Sequence, residues 1–148
     1  MGPVGTLESL GSRLTIAGEV AKATYRGKAR KIADEVGSDL TQIRSGVLAR
    51  AIKAGDADVE AIVRRAARQV GRGIGSLVNV MAPDVVVIGG GLVEAMPDLY
   101  LEETAIGAKR NVLPTLRDGF EIREAELGDY ATVIGAAAWG RQCVEDAA

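Results

Sequence analysis

"DVVVIGGGLVEAMP", residues 84–97, places four β-branched apolar residues directly before three consecutive glycines. The β-branched run predicts a strand over residues 85–88, and its unbroken apolar character predicts burial on both faces, as in a parallel sheet flanked by helices. Ligands of open α/β sheets bind beyond the carboxyl ends of the strands, which is where these glycines lie. Glycine also tolerates positive φ and leaves room against the backbone. Gly89, Gly90 and Gly91 therefore form either a plain strand-to-helix turn or a ligand-binding loop, and the residue pattern leaves both open.

The segments on either side of the glycines have helical patterns. Apolar residues at three- and four-residue spacing predict a long helix over residues 58–81, which Pro83 terminates. Pro97 suits the first turn of a following helix over residues 97–112. The positive end of that helix would lie several residues beyond the glycines. The loop is therefore better suited to pass along a nucleoside than to grip a triphosphate.

The rest of the chain completes an order of helix, strand, helix, strand and helix, which predicts an α/β layer. The other predicted elements are helices over residues 12–25, 40–53 and 130–144 and a strand over residues 120–123. Ser12 is the predicted N-cap of the first helix. Glycines inside a helix cost about 1 kcal/mol each relative to alanine. This cost predicts close packing of another element against the long helix at Gly71, Gly73 and Gly75.

The composition is that of one ordinary globular domain. The chain has 148 residues, 47% of them hydrophobic and 26% charged, so it can bury a core. An aromatic content of 3% and a net charge of −2 argue against nucleic acid and anionic membranes as partners. The single cysteine, Cys143, is predicted to be a small packed residue, and the lack of a disulfide and of a signal peptide predicts a cytoplasmic protein. Because there is no histidine, imidazole bases and His-containing metal sites are excluded from this chain.

Three further patterns have ordinary structural explanations. The next acidic strand residues after the glycines, Glu121 and Glu124, lie too far along the chain for a dinucleotide site, and the third glycine of its fingerprint is missing. Glu8 precedes the first predicted helix, where the helix dipole favours an acid. One side of the long helix carries a basic stripe, which we expect to be solvated, with an acidic partner surface as the alternative. The stripe consists of Arg64, Arg65, Arg68 and Arg72.

Three stretches of the chain combine into a specific pattern. They are GTLE at residues 5–8 leading into LGSRLTI at residues 10–16, LVNVMAPDVVVIGGGL at residues 77–92, and AELGD at residues 125–129 followed by IGAA at residues 134–137. Together they resemble, in the same order, the ROK family, the repressors and sugar kinases of the actin-like ATPase superfamily. Residues 26–68 carry no motif that matches.

The resemblance implies two lobes around a cleft, each built on a ribonuclease-H-like sheet, with sugar and ATP between them. Residues 1–148 would form a single C-terminal lobe, with residues 1–25 lining the cleft side. Glu8 matches the glutamate that contacts sugar hydroxyls, a role that suits a carboxylate because it accepts two hydrogen bonds. The loop beside the nucleotide is matched by Gly89, Gly90 and Gly91. The implied ligands of the complete enzyme are ATP, Mg²⁺ and a hexose, and the second lobe often makes a homodimer contact.

The chain departs from the family pattern at three points. Thr6 stands where the family's zinc motif has a cysteine, and the motif's other cysteines and histidine are absent, so we predict no zinc. The phosphate loop and the general-base aspartate belong to the first lobe, so no catalytic residue is predicted here. We therefore expect the C-terminal half of an ATP-dependent, glucokinase-like hexose kinase that is inactive as an isolated chain. The alternatives are the sugar-sensing lobe of a repressor and a dimerisation module.

Overall fold

A computed structural model describes residues 5–146 of the chain, except for the side chains of Leu40 and Asp129. Residues 1–4 and 147–148, the two ends of the predicted lobe, lie outside the described residues. The helices in the described range are α1 Leu7–Gly11, α2 Arg13–Tyr25, α3 Arg30–Val36, α4 Ser45–Lys53, α5 Ala57–Met81, α6 Gly91–Ala95, α7 Pro97–Lys109 and α8 Ala131–Asp146. The strands are β1 Val85–Ile88 and β2 Glu121–Glu124.

The two strands form a small parallel sheet, so the predicted α/β class is confirmed. Val86 of β1 is in register with Ile122 of β2. Val86 and Ile88 pack against an apolar cluster contributed by α5, α7 and the turn that follows α7. On the opposite face, Val85 and Val87 remain 41% and 61% exposed. The predicted burial of both faces is therefore wrong, because in the described part of the chain helices cover only one face of the sheet.

Helices α5 and α7 pack against each other at backbone distance. A Cβ atom on Gly71 would lie 2.1 Å from the carbonyl oxygen of Thr104, and one on Gly75 would lie 2.8 Å from the carbonyl oxygen of Ala108. Gly107 of α7 lies equally close to the backbone of α5. Separations this short leave no space for a side chain, so the predicted close packing is confirmed at Gly71 and Gly75, whereas Gly73 faces only the side chain of Leu7 in α1.

A larger core lies on the other side of α5, among α2, α3, α4 and α6. Its fully buried aliphatic residues include Ile16, Val20, Ile32, Leu48, Val59 and Val63. Ser12 caps α2 as predicted, since its hydroxyl accepts a hydrogen bond from the backbone N–H of Thr15 at 3.2 Å. Asp56 caps α5 and also accepts from the backbone N–H of Lys31 at 3.0 Å. The same carboxylate therefore joins the start of α5 to the first turn of α3.

One predicted helix begins later than expected, and two short helices were not predicted. The helix predicted from residue 40 begins at Ser45, because Leu40–Gln42 forms a 3-10 turn and the side chain of Asp39 accepts from the backbone N–H of Thr41 at 3.1 Å. The short helices α1 and α6 were not predicted. Helix α6 begins at Gly91, directly after the strand and two glycines.

Helix α8 lies apart from both cores. None of its described residues is buried. Trp139 is 70% exposed, and Val133 and Val144 are exposed to a similar degree. Cys143 is also exposed, so its predicted packing is wrong. The described helices include none that is both long enough and apolar enough to cross a membrane.

Candidate functional site

The glycine loop has one position where only glycine fits the backbone conformation. Gly90 has φ +102° and ψ 165°, in a region that residues with a Cβ rarely adopt. No heavy atom lies within 4 Å of the position that a Cβ on Gly90 would take. The backbone of Gly90 therefore faces open space, which a side chain would fill and which a flat ligand can occupy.

The neighbouring glycines have packing roles. A Cβ on Gly89 would lie 2.8 Å from the Cβ of Ala125, which follows β2. A Cβ on Gly91 would lie 3.4 Å from the hydroxyl oxygen of Ser45, at the start of α4. Gly89 and Gly91 therefore permit close packing, whereas Gly90 presents open backbone. The assignment of the three glycines to a ligand loop stays a prediction.

The start of α6 at Gly91 corrects the sequence argument about helix position. From the sequence, the next helix was expected to begin at Pro97, several residues beyond the glycines. Pro97 does begin α7, but the shorter α6 lies between them and Gly90 is its N-cap. Helix α6 has only five residues, so its dipole is small compared with that of a long helix. The expectation that the loop suits a nucleoside better than a triphosphate stays a prediction, now supported by the shortness of α6 and not by the position of α7.

Two adjoining cavities open beside Gly90. The smaller has a volume of about 310 Å³, and the larger, about 800 Å³, extends along α2 and α4. Both have volumes that ligand sites commonly have. We call the two cavities together the glycine groove. It is defined by five residues near the junction of the cavities, each of which lines at least one of them: Arg13, Ser45, Gly89, Gly90 and Gly91.

Two polar side chains in the glycine groove were not predicted. Arg13 is exposed, and no carboxylate in the described part of the chain lies within 4.0 Å of its guanidinium group. Ser45 is half-buried, and its hydroxyl has no hydrogen-bond partner among the described residues. Tyr100 lies at the other side of the smaller cavity, and burial raises the pKa of its phenol, so this group is neutral near pH 7. Arg13 and Ser45 start two different helices, and only the tertiary fold brings them to the glycines.

Glu8 lies in the first turn of α1 and its side chain is exposed. Its backbone carbonyl accepts from the N–H of Ser12 at 3.1 Å, which closes the helix. Its carboxylate has no hydrogen-bond or ion-pair partner among the described residues, and it does not line the glycine groove. The structure brings the three predicted glycines together but does not bring Glu8 to them. Its assignment to sugar stays a prediction.

Residues 5–146 contain no group of three or more His, Cys, Asp or Glu side chains placed to hold a metal ion. The two buried acids, Asp56 and Glu103, are occupied by a helix cap and by arginines. Neither is available as a general base.

Sequence comparison relates most of the chain to one family. The ROK family profile matches residues 17–143. A curated glucokinase from Halalkalibacterium halodurans is 32% identical over 139 residues, which are 90% of this chain and 40% of that protein.

Solved structures give the same relationship. The ROK family glucokinase from Streptomyces griseus, in complex with glucose and AMPPNP, superposes with a TM-score of 0.82 at 22% identity over 95% of this chain and 46% of its own. The ROK hexokinase from Thermus thermophilus gives 0.67 at 31% identity over 90% of this chain and 40% of its own. A ROK family transcriptional regulator, a homolog of the E. coli MLC protein, gives 0.60 at 20% identity over 83% of this chain and 30% of its own. The chain spans less than half the length of these relatives, and with a profile match over residues 17–143 it belongs to the ROK family.

Proposed function

We propose that this chain is the C-terminal lobe, residues 1–148, of a ROK-type sugar kinase with the actin-like ATPase fold and a ribonuclease-H-like sheet. In the complete enzyme ATP phosphorylates a hexose hydroxyl, as in a glucokinase, and residues 1–25 lie on the cleft side. The curated glucokinase and the two kinase structures support this family-level assignment. The single observation that supports nucleotide binding by this lobe is the open backbone of Gly90, in a groove where Arg13 has no partner among the described residues.

The glycine groove fits the adenosine side of ATP. The bare backbone at Gly90 leaves room for a flat base or a ribose, and the groove has the volume of a ligand site. The Arg13 guanidinium has no partner among the described residues and is suited to donate paired hydrogen bonds to the oxygens of a phosphate group, whose charge it would balance. ATP, when bound, supplies the phosphoryl group. Mg²⁺ is held largely by the phosphates themselves and needs few protein ligands.

Glu8 is the proposed sugar contact of this lobe. Its exposed carboxylate has no partner in the described part of the chain, so both oxygens are available to accept hydrogen bonds from sugar hydroxyls. Because Glu8 lies away from the glycine groove, sugar and nucleotide would contact this lobe at separate places.

Two exposed apolar surfaces support the proposal that a second lobe packs against this one. The outward face of β1 and the whole of α8 lie open, although parallel sheets are normally covered on both faces. The relatives are more than twice as long as the part this chain covers. We infer that a lobe corresponding to their remaining length covers these two surfaces in a cytoplasmic complex.

Phosphoryl transfer depends on positioning and charge neutralisation around the γ-phosphate. The phosphate loop and the base are assigned to the other lobe, so we expect no ATP-dependent glucose phosphorylation by the 148-residue chain in a coupled assay. Measurable turnover by the purified chain would contradict this division of the machinery.

A repressor lobe is the second candidate. It is favoured by the similarity to the ROK transcriptional regulator. The higher TM-score with the Streptomyces griseus glucokinase favours the kinase. Nucleotide binding would distinguish a kinase lobe from a repressor lobe, because a lobe that only senses sugar does not need a nucleotide site. A third candidate, homodimerisation through the exposed face of α8, requires a dimer in light scattering, and a monomer would count against it.

The nucleotide site is tested by Gly90→Val. The valine side chain fills the open space against the backbone, so we expect binding of AMPPNP, followed by NMR titration of the chain, to weaken about tenfold or more. If the unaltered chain does not bind AMPPNP, or if the variant binds it equally well, the assignment of the adenosine side to this loop is wrong.

Gly55→Val is the matched control for that experiment. Gly55 also has a positive φ, of 84°, and also has no heavy atom within 4 Å of its missing Cβ, but it lies after α4 and outside the glycine groove. Both variants carry a similar backbone strain of about 1–3 kcal/mol. Only the Gly90 variant is expected to lose nucleotide affinity.

A further inference from the structure

A second concave surface, separate from the glycine groove, lies between α5 and the C-terminal end of α7. Its cavity has a volume of about 640 Å³. It shares no lining residue with the glycine groove, and no aspartate or glutamate lines it. We call it the arginine groove, after the five arginines in its lining: Arg64, Arg65, Arg68, Arg72 and Arg110.

One buried acid, Glu103, fixes the positions of two of the five arginines, Arg64 and Arg68. Glu103 of α7 is only 2% exposed. It accepts a hydrogen bond from Nη1 of Arg64 at 2.6 Å and one from Nε of Arg68. Nη2 of Arg68 makes a further hydrogen bond with Glu103 at 3.2 Å. The guanidinium groups of Arg64 and Arg68 are thus fixed before any ligand arrives, which lowers the entropy that binding costs.

The other three arginines have little or no negative charge beside them. No carboxylate of the described residues lies within 4.0 Å of Arg72 or Arg110. Among the described residues, the guanidinium of Arg72 has a single hydrogen bond, which it donates to the amide oxygen of Gln69 at 3.4 Å. Arg65 has one long ion pair, 3.7 Å, with Glu19 outside the groove. The acids near the groove, Glu60 and Glu102, lie at the Arg64 end, so uncompensated positive charge collects at the Arg72 and Arg110 end.

The shape of the groove and its chemistry indicate the class of ligand. Planar guanidinium groups bind phosphate oxygens in pairs, and several of them around one cavity suit an anion with more than one phosphate. Gly107 keeps one wall free of a side chain. A cavity of about 640 Å³ has the size of a small-molecule site rather than of a flat protein contact.

We propose that the arginine groove binds a small anion carrying two or more phosphate groups. This proposal rests on α5 and α7 alone and does not depend on the kinase assignment. Such a ligand would bridge Arg72 and Arg110, which belong to different sides of the groove, and would use the fixed guanidinium of Arg68 between them. The sequence indicated only a basic stripe, because Arg110 lies on a different element.

Isothermal titration of the full chain with inorganic tripolyphosphate tests the proposal. We expect the double variant Arg72→Gln/Arg110→Gln to bind tripolyphosphate about tenfold or more weakly, because two charge-assisted contacts are lost. The matched control is Arg30→Gln/Arg117→Gln, which removes the same net charge from two exposed arginines outside the groove. We expect it to keep the affinity within about twofold.

Three results would overturn the proposal. The first is no binding of tripolyphosphate by the unaltered chain, or binding only of an acidic polypeptide such as polyglutamate. The second is an equal loss of affinity for tripolyphosphate in the groove variant and the control variant, which would show that the net charge of the protein alone attracts the anion. The third is a loss caused by Gly90→Val and not by the groove variant, which would place the anion in the glycine groove. Loss of AMPPNP binding in Gly90→Val with unchanged tripolyphosphate binding leaves the two sites independent and supports the proposal.

Discussion

Replacing Glu103 with alanine is expected to lower the free energy of unfolding by about 2–3 kcal/mol, because a buried carboxylate that accepts charge-assisted hydrogen bonds from two arginines is lost. The carboxylate of Glu103 is the shared acceptor of Arg64 and Arg68 across the contact between α5 and α7. Without it, the two guanidinium groups, which are only partly exposed, lie next to each other with one negative charge fewer to balance them. Urea unfolding followed by circular dichroism measures the change.

Glu102→Ala is the matched control for this variant. Glu102 is the preceding residue of the same helix, but its side chain is 64% exposed and its one ion pair, with Arg64, is 3.6 Å long. Exposed pairs of this kind contribute about 0–1 kcal/mol. Equal destabilisation by the two alanine variants would show that the buried position of Glu103 has no special importance.

Because the carboxylate of Glu103 titrates, the stability of the fold is expected to depend on pH. The hydrogen bond from Arg68 is the largest cause that lowers the pKa of Glu103, burial opposes it, and Arg64 lowers it further. Since the folded-state pKa lies below the unfolded value, the stabilisation is complete above the unfolded pKa of about 4.3. It is lost as the pH falls through the lower, folded-state pKa. The difference in stability between the unaltered chain and Glu103→Gln is therefore expected to be constant near pH 7 and to shrink under acidic conditions.

This ion pair also shows which parts of the structure a sequence can predict. The long helix and β1 follow from local patterns, three- and four-residue spacing in one case and a β-branched run in the other, and both were predicted closely. The sequence predicted a solvated stripe for Arg64 and Arg68, because nothing in a helical pattern indicates that Glu103 will turn inward from α7. In the structure both guanidinium groups form ion pairs with Glu103, while the two side chains stay 33% and 46% exposed. The stripe is therefore in contact with solvent as predicted, and what the sequence did not predict is its internal partner.

In the candidate site, too, the residues set by local sequence could be predicted and those placed by the tertiary fold could not. Gly90 was predicted because the preference of glycine for positive φ is local. Arg13 and Ser45 reach the same groove from the starts of α2 and α4, and their position is a property of the tertiary fold. The predicted burial of both faces of β1 is wrong for a related reason: an apolar strand pattern does not show which elements pack on the strand, and no described element covers Val87.

Gly71→Ala is expected to lower the free energy of unfolding by about 2–3 kcal/mol, even though alanine favours helix over glycine by about 1 kcal/mol. The added methyl group would lie 2.1 Å from the carbonyl oxygen of Thr104 and 2.8 Å from the backbone nitrogen of Ala108. Both are backbone atoms of α7, so no side-chain rotation relieves the overlap and the helices must move apart. That movement weakens the contacts of Ile74 and Val78 with the sheet, which belong to the same apolar cluster.

Gly73→Ala, two residues along the same helix, separates this clash from the general effect of removing a glycine. Its added methyl group would meet only the side chain of Leu7, at 3.0 Å, and Leu7 is an exposed residue that can change rotamer. The gain in helix propensity of about 1 kcal/mol then outweighs the contact, so Gly73→Ala is expected to be neutral or stabilising. Opposite signs for the two substitutions in urea unfolding would assign Gly71 to backbone contact between α5 and α7. If Gly71→Ala is as well tolerated as Gly73→Ala, the two helices are not packed at the distance described.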